Sequence, residues 1–295
     1  MSEAVGFIGV GAMGSAIASR LVDNYELHVN DRNPAVADKL VERGATFSSL
    51  TDIASRCSYV FLSLPRPTDV ADLLQGQDGL AQQLKPGSVI IDTTTGTPTS
   101  DQALLALLNP LGVDYVDAPI GGGVRRAEAG NAALMIGASD DVYARVEPLL
   151  RAVTEDVIHV GPVGSGHAAK LVNNLLNSCN RFAAMEAIRL GEVAGISREM
   201  IVDVINRGSA RNYATENTYP QLLMGGTAEQ PYKLQNFTLQ LLEKDLRLAN
   251  QLAEELGHDT PIGHLVQEFV AQAVERFGPD ADQSQMMAEW YPETP

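Results

Sequence analysis

Short apolar runs alternate with helical patterns over the first half of the chain. Runs rich in Val, Ile, Tyr and Phe predict strands at residues 5–10, 27–30, 59–63, 89–92, 115–116, 133–136 and 157–160. Between them, apolar side chains recur every three or four residues, which predicts helices at 14–22, 34–43, 69–74, 100–108 and 140–150. Strands that alternate with helices favour a mainly parallel sheet covered by helices on both faces.

The pattern changes after Gly161. Residues 161–166 (Gly-Pro-Val-Gly-Ser-Gly) are of types that interrupt regular structure. Beyond them, helical periodicity extends over residues 168–194, 200–205, 239–256 and 262–277. We therefore predict a boundary at residue 161, with an α/β domain over residues 1–161 and an all-α domain over residues 162–295.

Three glycines join the first strand to the first helix. They form Gly9-x-Gly11-x-x-Gly14, with Val10, Ala12 and Met13 between them. In a dinucleotide-binding unit the first glycine permits a tight turn, the second lets the backbone approach the pyrophosphate, and the third lets the helix pack close to the sheet. The second strand is followed by Asp31, an acid at the distance that this motif expects. The arrangement predicts a Rossmann-type dinucleotide-binding domain; the alternative is a glycine-rich turn of another α/β protein.

Asp31 and Arg32 bear on the choice of dinucleotide. A carboxylate at this position can accept hydrogen bonds from the adenosine ribose hydroxyls and repels the 2′-phosphate of NADP. The guanidinium of Arg32 could bind that phosphate instead. The pair favours NAD and leaves NADP possible.

Two further loops follow strands. Leu64-Pro65 comes after the strand at 59–63, and Thr93-Thr94-Thr95 comes after the strand at 89–92. Ligands of open α/β sheets bind at the carboxyl ends of strands. The proline turn could wall the cofactor crevice and the hydroxyl groups could reach the nicotinamide end; the alternative is ordinary loop sequence.

Three consecutive glycines follow another strand. The backbone N–H groups of Gly121, Gly122 and Gly123 are unshielded by side chains, so they can form a concave site for an anion such as a carboxylate. The alternative is a flexible linker.

Lys170 and Asn174 lie at the start of the long helical pattern. Their i, i+4 spacing puts them on one helix face. A half-buried lysine near a helix N-terminus is expected to have a lowered pKa, which suits proton exchange with a substrate hydroxyl. The alternative for Lys170 is a solvated charge, and we interpret the neighbouring His167 as a helix-start residue. Lys244, in a later amphipathic pattern, is either a ligand contact or part of a solvated ion pair.

Composition narrows the partners. The net charge is −16 and basic runs are absent from the sequence, which argues against nucleic acid and anionic membranes. Cys57 and Cys179 are isolated, so their spacing predicts neither a disulfide framework nor a metal site and favours a reducing, cytoplasmic compartment. The sequence has no apolar run long enough to span a bilayer, and its apolar N-terminus is interpreted as the first strand rather than a signal peptide.

Four motifs together resemble those of the β-hydroxyacid dehydrogenase family, in the same order over nearly the whole chain. They are residues 7–14 (cofactor), 117–123 (substrate), Gly164-x-Gly166-x-x-x-Lys170-x-x-x-Asn174 (catalytic) and 244–249. The resemblance implies a Rossmann-type domain with a mainly parallel sheet, followed by an all-α domain for substrate binding and oligomerisation. It implies a homodimer or homotetramer, Lys170 as the catalytic residue, and cofactor contacts from Leu64, Pro65, Thr95 and Lys244.

The chain departs from the family pattern at two positions. Gly121 stands where the family usually has serine, and Arg126 stands where it usually has glycine. We hypothesise that Arg125 or Arg126 recognises a second or bulkier anionic group, such as a sulfonate or a second carboxylate, because the donor fork of arginine suits such groups. The alternative is a surface pair.

The predicted reaction is reversible hydride transfer between NAD(H) and a small anionic 3-hydroxy acid, with a semialdehyde as its product. Lys170 is the predicted general acid or base and Asn174 orients the reacting oxygen. The alternative enzyme is an NADPH-dependent aldehyde or imine reductase, although imine-reducing members of the family typically lack the lysine. The alternative of another class is a non-catalytic dinucleotide-binding module, against which Lys170 and Asn174 both argue.

Overall fold

The computed structural model describes residues 3–75, 79–223 and 237–291. The chain divides into two compact units, Met1–Lys170 and Leu171–Pro295. The predicted fold class is confirmed, because the first unit holds a mainly parallel sheet with helices and the second is helical. The boundary predicted at residue 161 stays a prediction.

One mixed sheet of nine strands organises the described part of the first unit. The strands are β1 (Ala4–Ile8), β2 (Glu26–Asn30), β3 (Thr46–Phe47), β4 (Tyr59–Leu62), β5 (Val89–Asp92), β6 (Asp114–Asp117), β7 (Ile120–Gly121), β8 (Ala133–Gly137) and β9 (Val157–Gly161). Their order is β3-β2-β1-β4-β5-β6-β8-β7, and β9 pairs with β8. Strands β1 to β6 pair in parallel, whereas β8 runs antiparallel to β6 and β7.

Helices cover both faces of this sheet. They are α1 (Ala12–Leu21), α2 (Asp38–Glu42), α3 (Leu50–Arg56), α4 (Pro67–Leu74), α5 (Leu80–Gln83), α6 (Pro98–Leu108), α7 (Gly123–Glu128) and α8 (Asp140–Val153). Successive side chains of β4 point to opposite faces, so Phe61 joins the buried cluster under α1 and α8 while Val60 and Leu62 join the one under α3, α4 and α6. Burial on both faces explains why the central strands are continuous apolar runs.

The sheet reverses its order between β1 and β4. From β1 the chain proceeds outward to β2 and β3, and it then returns to β4 on the other side of β1. In such sheets the crevice at the reversal point, at the carboxyl ends of the strands, is where a ligand binds. Gly9 follows β1 and Leu64 follows β4, so both predicted cofactor loops lie at this end of the sheet.

The second unit is built on helices in its described residues. Helix α9 (Ser165–Val193) begins in the first unit and continues into the second. It is followed by α10 (Arg198–Arg207), a π-helical segment (Ala214–Thr218), α11 (Tyr219–Leu223), α12 (Leu239–Glu255), α13 (Pro261–Phe277) and α14 (Gln283–Glu289). Their apolar faces form one buried cluster that includes Phe182, Val202, Leu242, Val270 and Met286.

Several elements differ from the sequence-based prediction. The predicted helix at 34–43 is a 3₁₀ segment (Pro34–Ala37) followed by the short α2. Helix α3 was not predicted; it begins where the Ser49 hydroxyl accepts a hydrogen bond from the Asp52 N–H, as an N-cap serine does. Helix α7 was also missed, because a glycine run hides its start. Among the described helices, none is both long and apolar enough to cross a membrane.

Candidate active site

The glycine turn after β1 has the shape that a dinucleotide needs. A methyl group on Gly9 would overlap the carbonyl oxygen of Ser63, and one on Gly14 would overlap that of Gly9. A methyl group on Gly11 would meet no atom of the described chain within 4 Å. Gly9 and Gly14 are therefore required by packing, whereas Gly11 leaves open space beside the N-terminus of α1. That space and the unshielded N–H groups of a helix start fit a pyrophosphate.

Asp31 is attached to this turn. Its Oδ2 accepts a hydrogen bond from the Val10 N–H at 2.9 Å, and its Oδ1 accepts one from the Asn33 N–H at 2.9 Å. Each carboxylate oxygen keeps a second lone pair for a ribose hydroxyl. The neighbouring Arg32 is exposed, and Ala12 and Met13 form the first turn of α1.

The loops after β4 and β5 are joined to each other. The Leu64 N–H donates to the hydroxyl of Thr94 at 3.0 Å, and the hydroxyl of Thr93 donates to the Leu62 carbonyl at 2.7 Å. Thr93 and Thr94 are buried, so their hydroxyls hold strand ends together. Thr95 is half-buried and Pro65 is exposed, which leaves these two predicted cofactor contacts at the surface of the loops.

The glycine run after β6 turns directly into α7. Gly122 and Gly123 have φ of +106° and +77°, a region that side chains other than glycine rarely adopt. Gly121 ends β7, and Arg125 and Arg126 are exposed on α7. Arg126 donates from Nε and Nη2 to the Asn131 carbonyl at 3.0 and 2.7 Å, so two of its donors already close the turn after this helix.

Asp117, the last residue of β6, caps the start of α9. Its Oδ1 accepts from the Gly164 N–H at 2.7 Å and its Oδ2 accepts from the His167 N–H at 2.8 Å. A methyl group on Gly166 would overlap the Met135 carbonyl, so this glycine of the predicted catalytic motif lets the helix lie against the sheet. Burial raises the pKa of Asp117 to about 6, although the charge of His167 and the two N–H donors oppose this.

His167 is fully buried between two acceptors. Its Nδ1 lies 2.8 Å from Oδ2 of Asp101, and its Nε2 lies 2.6 Å from the Thr94 carbonyl oxygen. Because a carboxylate and a carbonyl only accept, both ring nitrogens must carry protons. Burial disfavours the charged ring, but the hydrogen bond and charge of Asp101 outweigh it and raise the pKa of His167 to about 9. His167 is therefore an imidazolium at neutral pH.

Tyr115 extends this buried network. Its hydroxyl lies 2.9 Å from Oδ2 of Asp92 and 3.0 Å from Oδ1 of Asp101. One hydroxyl proton cannot serve both carboxylates. Burial raises the pKa of Asp92, and the Tyr115 hydroxyl lies between the carboxyl groups of Asp92 and Asp101. The network thereby joins Tyr115 and Asp92 to the buried ion pair of Asp101 and His167.

Lys170 and Asn174 lie one turn apart on α9, and both are half-buried. Within the second unit, the Asn174 Nδ2 donates to Oδ2 of Asp245 at 2.8 Å. The Lys244 ammonium forms an ion pair with the other oxygen of Asp245 at 3.4 Å. Asp245 therefore orients Asn174, while Lys244 lies beside that carboxylate rather than in solvent.

Comparison with known proteins shows the family to which the chain belongs. Residues 4–161 match the family described as the NAD-binding domain of 6-phosphogluconate dehydrogenase. Residues 164–290 match the family described as the NAD-binding domain of NADP-dependent 3-hydroxyisobutyrate dehydrogenase. The chain belongs to the β-hydroxyacid dehydrogenase family.

Relatives within the β-hydroxyacid dehydrogenases span most of the chain. The 2-(hydroxymethyl)glutarate dehydrogenase of Eubacterium barkeri is 34% identical over 85% of this chain and 82% of its own. The NAD-dependent L-serine dehydrogenase of Pseudomonas aeruginosa is 32% identical over 88% and 89%. The structure of Mycobacterium tuberculosis 3-hydroxyisobutyrate dehydrogenase with L-serine superposes with a TM-score of 0.85 at 26% identity, covering 98% and 99% of the two chains.

Membership defines the class of reaction. This β-hydroxyacid dehydrogenase is an NAD(P)-dependent oxidoreductase that transfers a hydride reversibly between a small hydroxy acid and the nicotinamide cofactor. The family, reaction class and nicotinamide cofactor predicted from the sequence are confirmed. The roles of individual site residues stay predictions.

Sequence reasoning missed the buried support of the site. Asp101 was given no role, Asp117 appeared only as the first residue of the substrate motif, and His167 was interpreted only as a helix-start residue. Their ligand atoms lie within 4.8 Å of one another, a spacing that a metal ion could bridge. The hydrogen bonds described above already occupy these atoms, and the expectation of no metal site stays a prediction. The sequence signal for this buried support was the presence of acidic residues near strand and helix ends, a feature that many α/β proteins share.

Proposed function

We propose that this β-hydroxyacid dehydrogenase interconverts a small anionic 3-hydroxy acid and its semialdehyde with NAD(H), and that Lys170 exchanges the proton. The observation that carries the proposal is the arrangement of α9. Lys170 lies half-buried just after a helix start that Asp117 and His167 fix to the sheet, and Asn174 follows one turn later with its amide oriented by Asp245.

The protein supplies position and proton transfer. In oxidation the neutral amine of Lys170 accepts the proton of the substrate hydroxyl, and in reduction its ammonium returns a proton to the carbonyl oxygen. The second N–H of the Asn174 amide donates to the same oxygen, because the first is held by Asp245. When bound, the nicotinamide ring accepts or supplies the hydride at the carbinol carbon.

Residues of the first unit would hold the cofactor. Gly9, Gly11 and Gly14 shape the turn for the pyrophosphate, with Val10, Ala12 and Met13 contributing backbone. Asp31 favours NAD because its carboxylate repels a 2′-phosphate, and the NAD-dependent relative supports this choice. Arg32 keeps NADP open. Contacts from Leu64, Pro65, Thr95 and Lys244 are proposed from the family resemblance.

A second anionic group is the proposed mark of the substrate. The backbone of Gly121, Gly122 and Gly123 would hold the first carboxylate, and Arg125 or Arg126 would meet the second. The relative that acts on 2-(hydroxymethyl)glutarate supports a substrate with two carboxylates. Two donors of Arg126 also bind the Asn131 carbonyl, so replacing Arg126 would disturb the turn after α7 as well.

Replacement of each arginine separates these roles. We expect Arg125→Ala to raise KM for 2-(hydroxymethyl)glutarate about tenfold or more while leaving KM for 3-hydroxyisobutyrate nearly constant, since a charge-assisted hydrogen bond is worth about 1.5–3 kcal/mol. Arg126→Ala should affect both substrates alike, through the turn at Asn131. Unchanged selectivity in both variants would refute recognition by this pair.

Lys170→Ala tests the central role. We expect turnover to fall below about 10⁻² of wild type, because general acid–base catalysis contributes about 10²–10⁴-fold. NADH affinity, followed by fluorescence, should stay within about twofold because the glycine turn is untouched. The assay uses 2-(hydroxymethyl)glutarate, L-serine and 3-hydroxyisobutyrate, each with NAD and NADP. Retained turnover in Lys170→Ala would exclude it as the acid or base, and a preference for NADP would support the alternative NADPH-dependent reductase.

The assembly and compartment are finer proposals. Leu190, Val193, Met200 and Val204 expose between 54% and 70% of their surface on α9 and α10, which supports a homodimer or homotetramer. A monomer in analytical ultracentrifugation would contradict this. Cys57 and Cys179 are free thiols, which supports a cytoplasmic location.

A further inference from the structure

Thr94 is a junction for three parts of the first unit. Its backbone N–H donates to Oδ1 of Asp92 at the end of β5, and its hydroxyl accepts from the Leu64 N–H of the neighbouring loop. Its carbonyl accepts from Nε2 of His167 on α9. One buried residue therefore joins two loops at the cofactor end of the sheet to the helix that carries Lys170.

The His167 ring is tightly packed. Asp101 holds one nitrogen and Thr94 the other, at 2.8 and 2.6 Å. A methyl group on Gly96 would lie 2.8 Å from Cε1 and 3.0 Å from Nδ1 of this ring, so a glycine beside Thr95 leaves the room that the imidazole fills. The ring is thus held at both nitrogens and along its edge.

We propose that His167 is a positioning residue of the reaction, and that its hydrogen bond to the Thr94 carbonyl sets where Lys170 stands relative to the bound nicotinamide. The inference rests on the proposed role of Lys170. Asp117 fixes the backbone of the helix start through two N–H contacts, both at the first turn of α9. The contact from His167 to Thr94 is a separate attachment, and Lys170 lies only three residues further along α9.

Two uncharged replacements of His167 separate the two attachments. The terminal amide nitrogen of glutamine can stand where Nε2 stands and donate to Thr94, whereas that of asparagine stands near Nδ1 and donates to Asp101. Both variants lose the ring charge, so both lose the ion pair with Asp101 equally. They differ in which hydrogen bond remains, because glutamine keeps the contact to Thr94 and asparagine keeps the contact to Asp101.

We expect His167→Asn to lower kcat by roughly 10²-fold and His167→Gln by only about threefold, since a small misplacement of a catalytic group costs up to about two orders of magnitude. Both should bind NADH with wild-type affinity by fluorescence titration, because the glycine turn and Asp31 are unchanged. With substrate deuterated at the carbinol carbon, the kinetic isotope effect should rise in His167→Asn as hydride transfer becomes slower. The substrate is whichever of the three hydroxy acids above turns over fastest.

The outcomes distinguish the positioning role of His167 from the acid–base role of Lys170, on which it rests. If the asparagine and glutamine variants have equal kcat and Lys170→Ala is inactive, the positioning role of His167 is refuted and the proposed function stands. A fully active Lys170→Ala refutes both, because there is then no lysine to position.

Gly96→Ala gives the same test if the His167 variants do not fold. Its methyl group would push the ring away from its position, while the side chain of His167 itself is unchanged. We expect kcat to fall about tenfold or more at unchanged NADH affinity. Wild-type kcat in Gly96→Ala would contradict the positioning role of His167.

Discussion

Two helix N-termini in the first unit have the same electrostatic character but serve different purposes. The N-terminus of α1, preceded by Gly11, is the open helix start: Gly11 is exposed and acidic residues are absent from the first turn. The N-terminus of α9, preceded by Gly164, is the closed helix start: the buried Asp117 accepts hydrogen bonds from its N–H groups. Both ends attract an anion because helix N-termini carry unpaired N–H groups and partial positive charge.

The difference lies in which anion each end receives. At the open helix start the protein leaves a space that a cofactor phosphate fits. At the closed helix start the chain fills the position with its own carboxylate, which turns a binding site into an anchor. The glycines serve these ends differently: Gly11 makes room for a ligand, whereas Gly166 makes room for Asp117 and the Met135 carbonyl. The anchored helix then carries Lys170 and Asn174.

Gly166→Ala should therefore reduce the stability of the fold, whereas Gly11→Ala should reduce the affinity for NADH. Gly166→Ala forces a methyl group into the Met135 carbonyl and within 2.8 Å of Oδ2 of Asp117, so we expect a loss of roughly 3 kcal/mol or more in the free energy of unfolding. Gly11→Ala meets open space, so its unfolding free energy should change by about 1 kcal/mol at most. Its affinity for NADH should fall at least about tenfold, because the methyl group stands where the pyrophosphate must approach. Urea unfolding and NADH fluorescence measure the two effects.

Gly14→Ala is the control within the open helix start. Its methyl group would overlap the Gly9 carbonyl, so it should cost stability as Gly166→Ala does, although it belongs to the same motif as Gly11. Wild-type NADH affinity in Gly11→Ala would erase the distinction between the two helix starts.

The two helix starts also differ in how far sequence could predict them. The open helix start is contained in six residues and one acid, so spacing alone identified the turn. The hydrogen bond from the Val10 N–H to Asp31 was seen only in the structure. The closed helix start depends on Asp117, Asp101 and Thr94, which are 47 to 73 residues from their partners. Local patterns carry no information on such pairs, which only the packing of β5, β6 and α6 brings together.

The same limit explains the missed elements. Strand β3 and strand β7 have two residues each, too few for an alternating pattern to be detected. Helix α7 begins with glycines that favour turns, and its Arg125 and Arg126 were therefore taken to follow a loop. Class of fold, order of motifs and the cofactor turn were accessible because each depends on residues that are close in sequence.

The dependence of stability on pH gives a second, smaller distinction, because the closed helix start holds the buried ion pair of His167 and Asp101. Burial lowers the pKa of His167, but the hydrogen bond and charge of Asp101 outweigh burial. The pKa therefore rises from 6.5 to about 9 on folding. A raised pKa means that the folded chain binds this proton more tightly than the unfolded chain. The stabilisation is therefore complete below pH 6.5 and is lost as the pH rises through 9, by an amount on the order of 3 kcal/mol.

The double variant Asp101→Asn/His167→Gln should abolish this pH dependence. It removes both partners of the buried ion pair together, so no carboxylate is left without its partner, as Asp101 would be in His167→Gln alone. Unfolding free energies from urea at pH 6.5 and 9 should then fall on the order of 3 kcal/mol more in the wild type than in the double variant. Asp117, whose pKa of about 6 is also raised, loses its contribution at lower pH, between about 4 and 6, and stays outside this window. An equal loss in both proteins would mean that the closed helix start is held without the charge on His167, by the carboxylate of Asp117 alone.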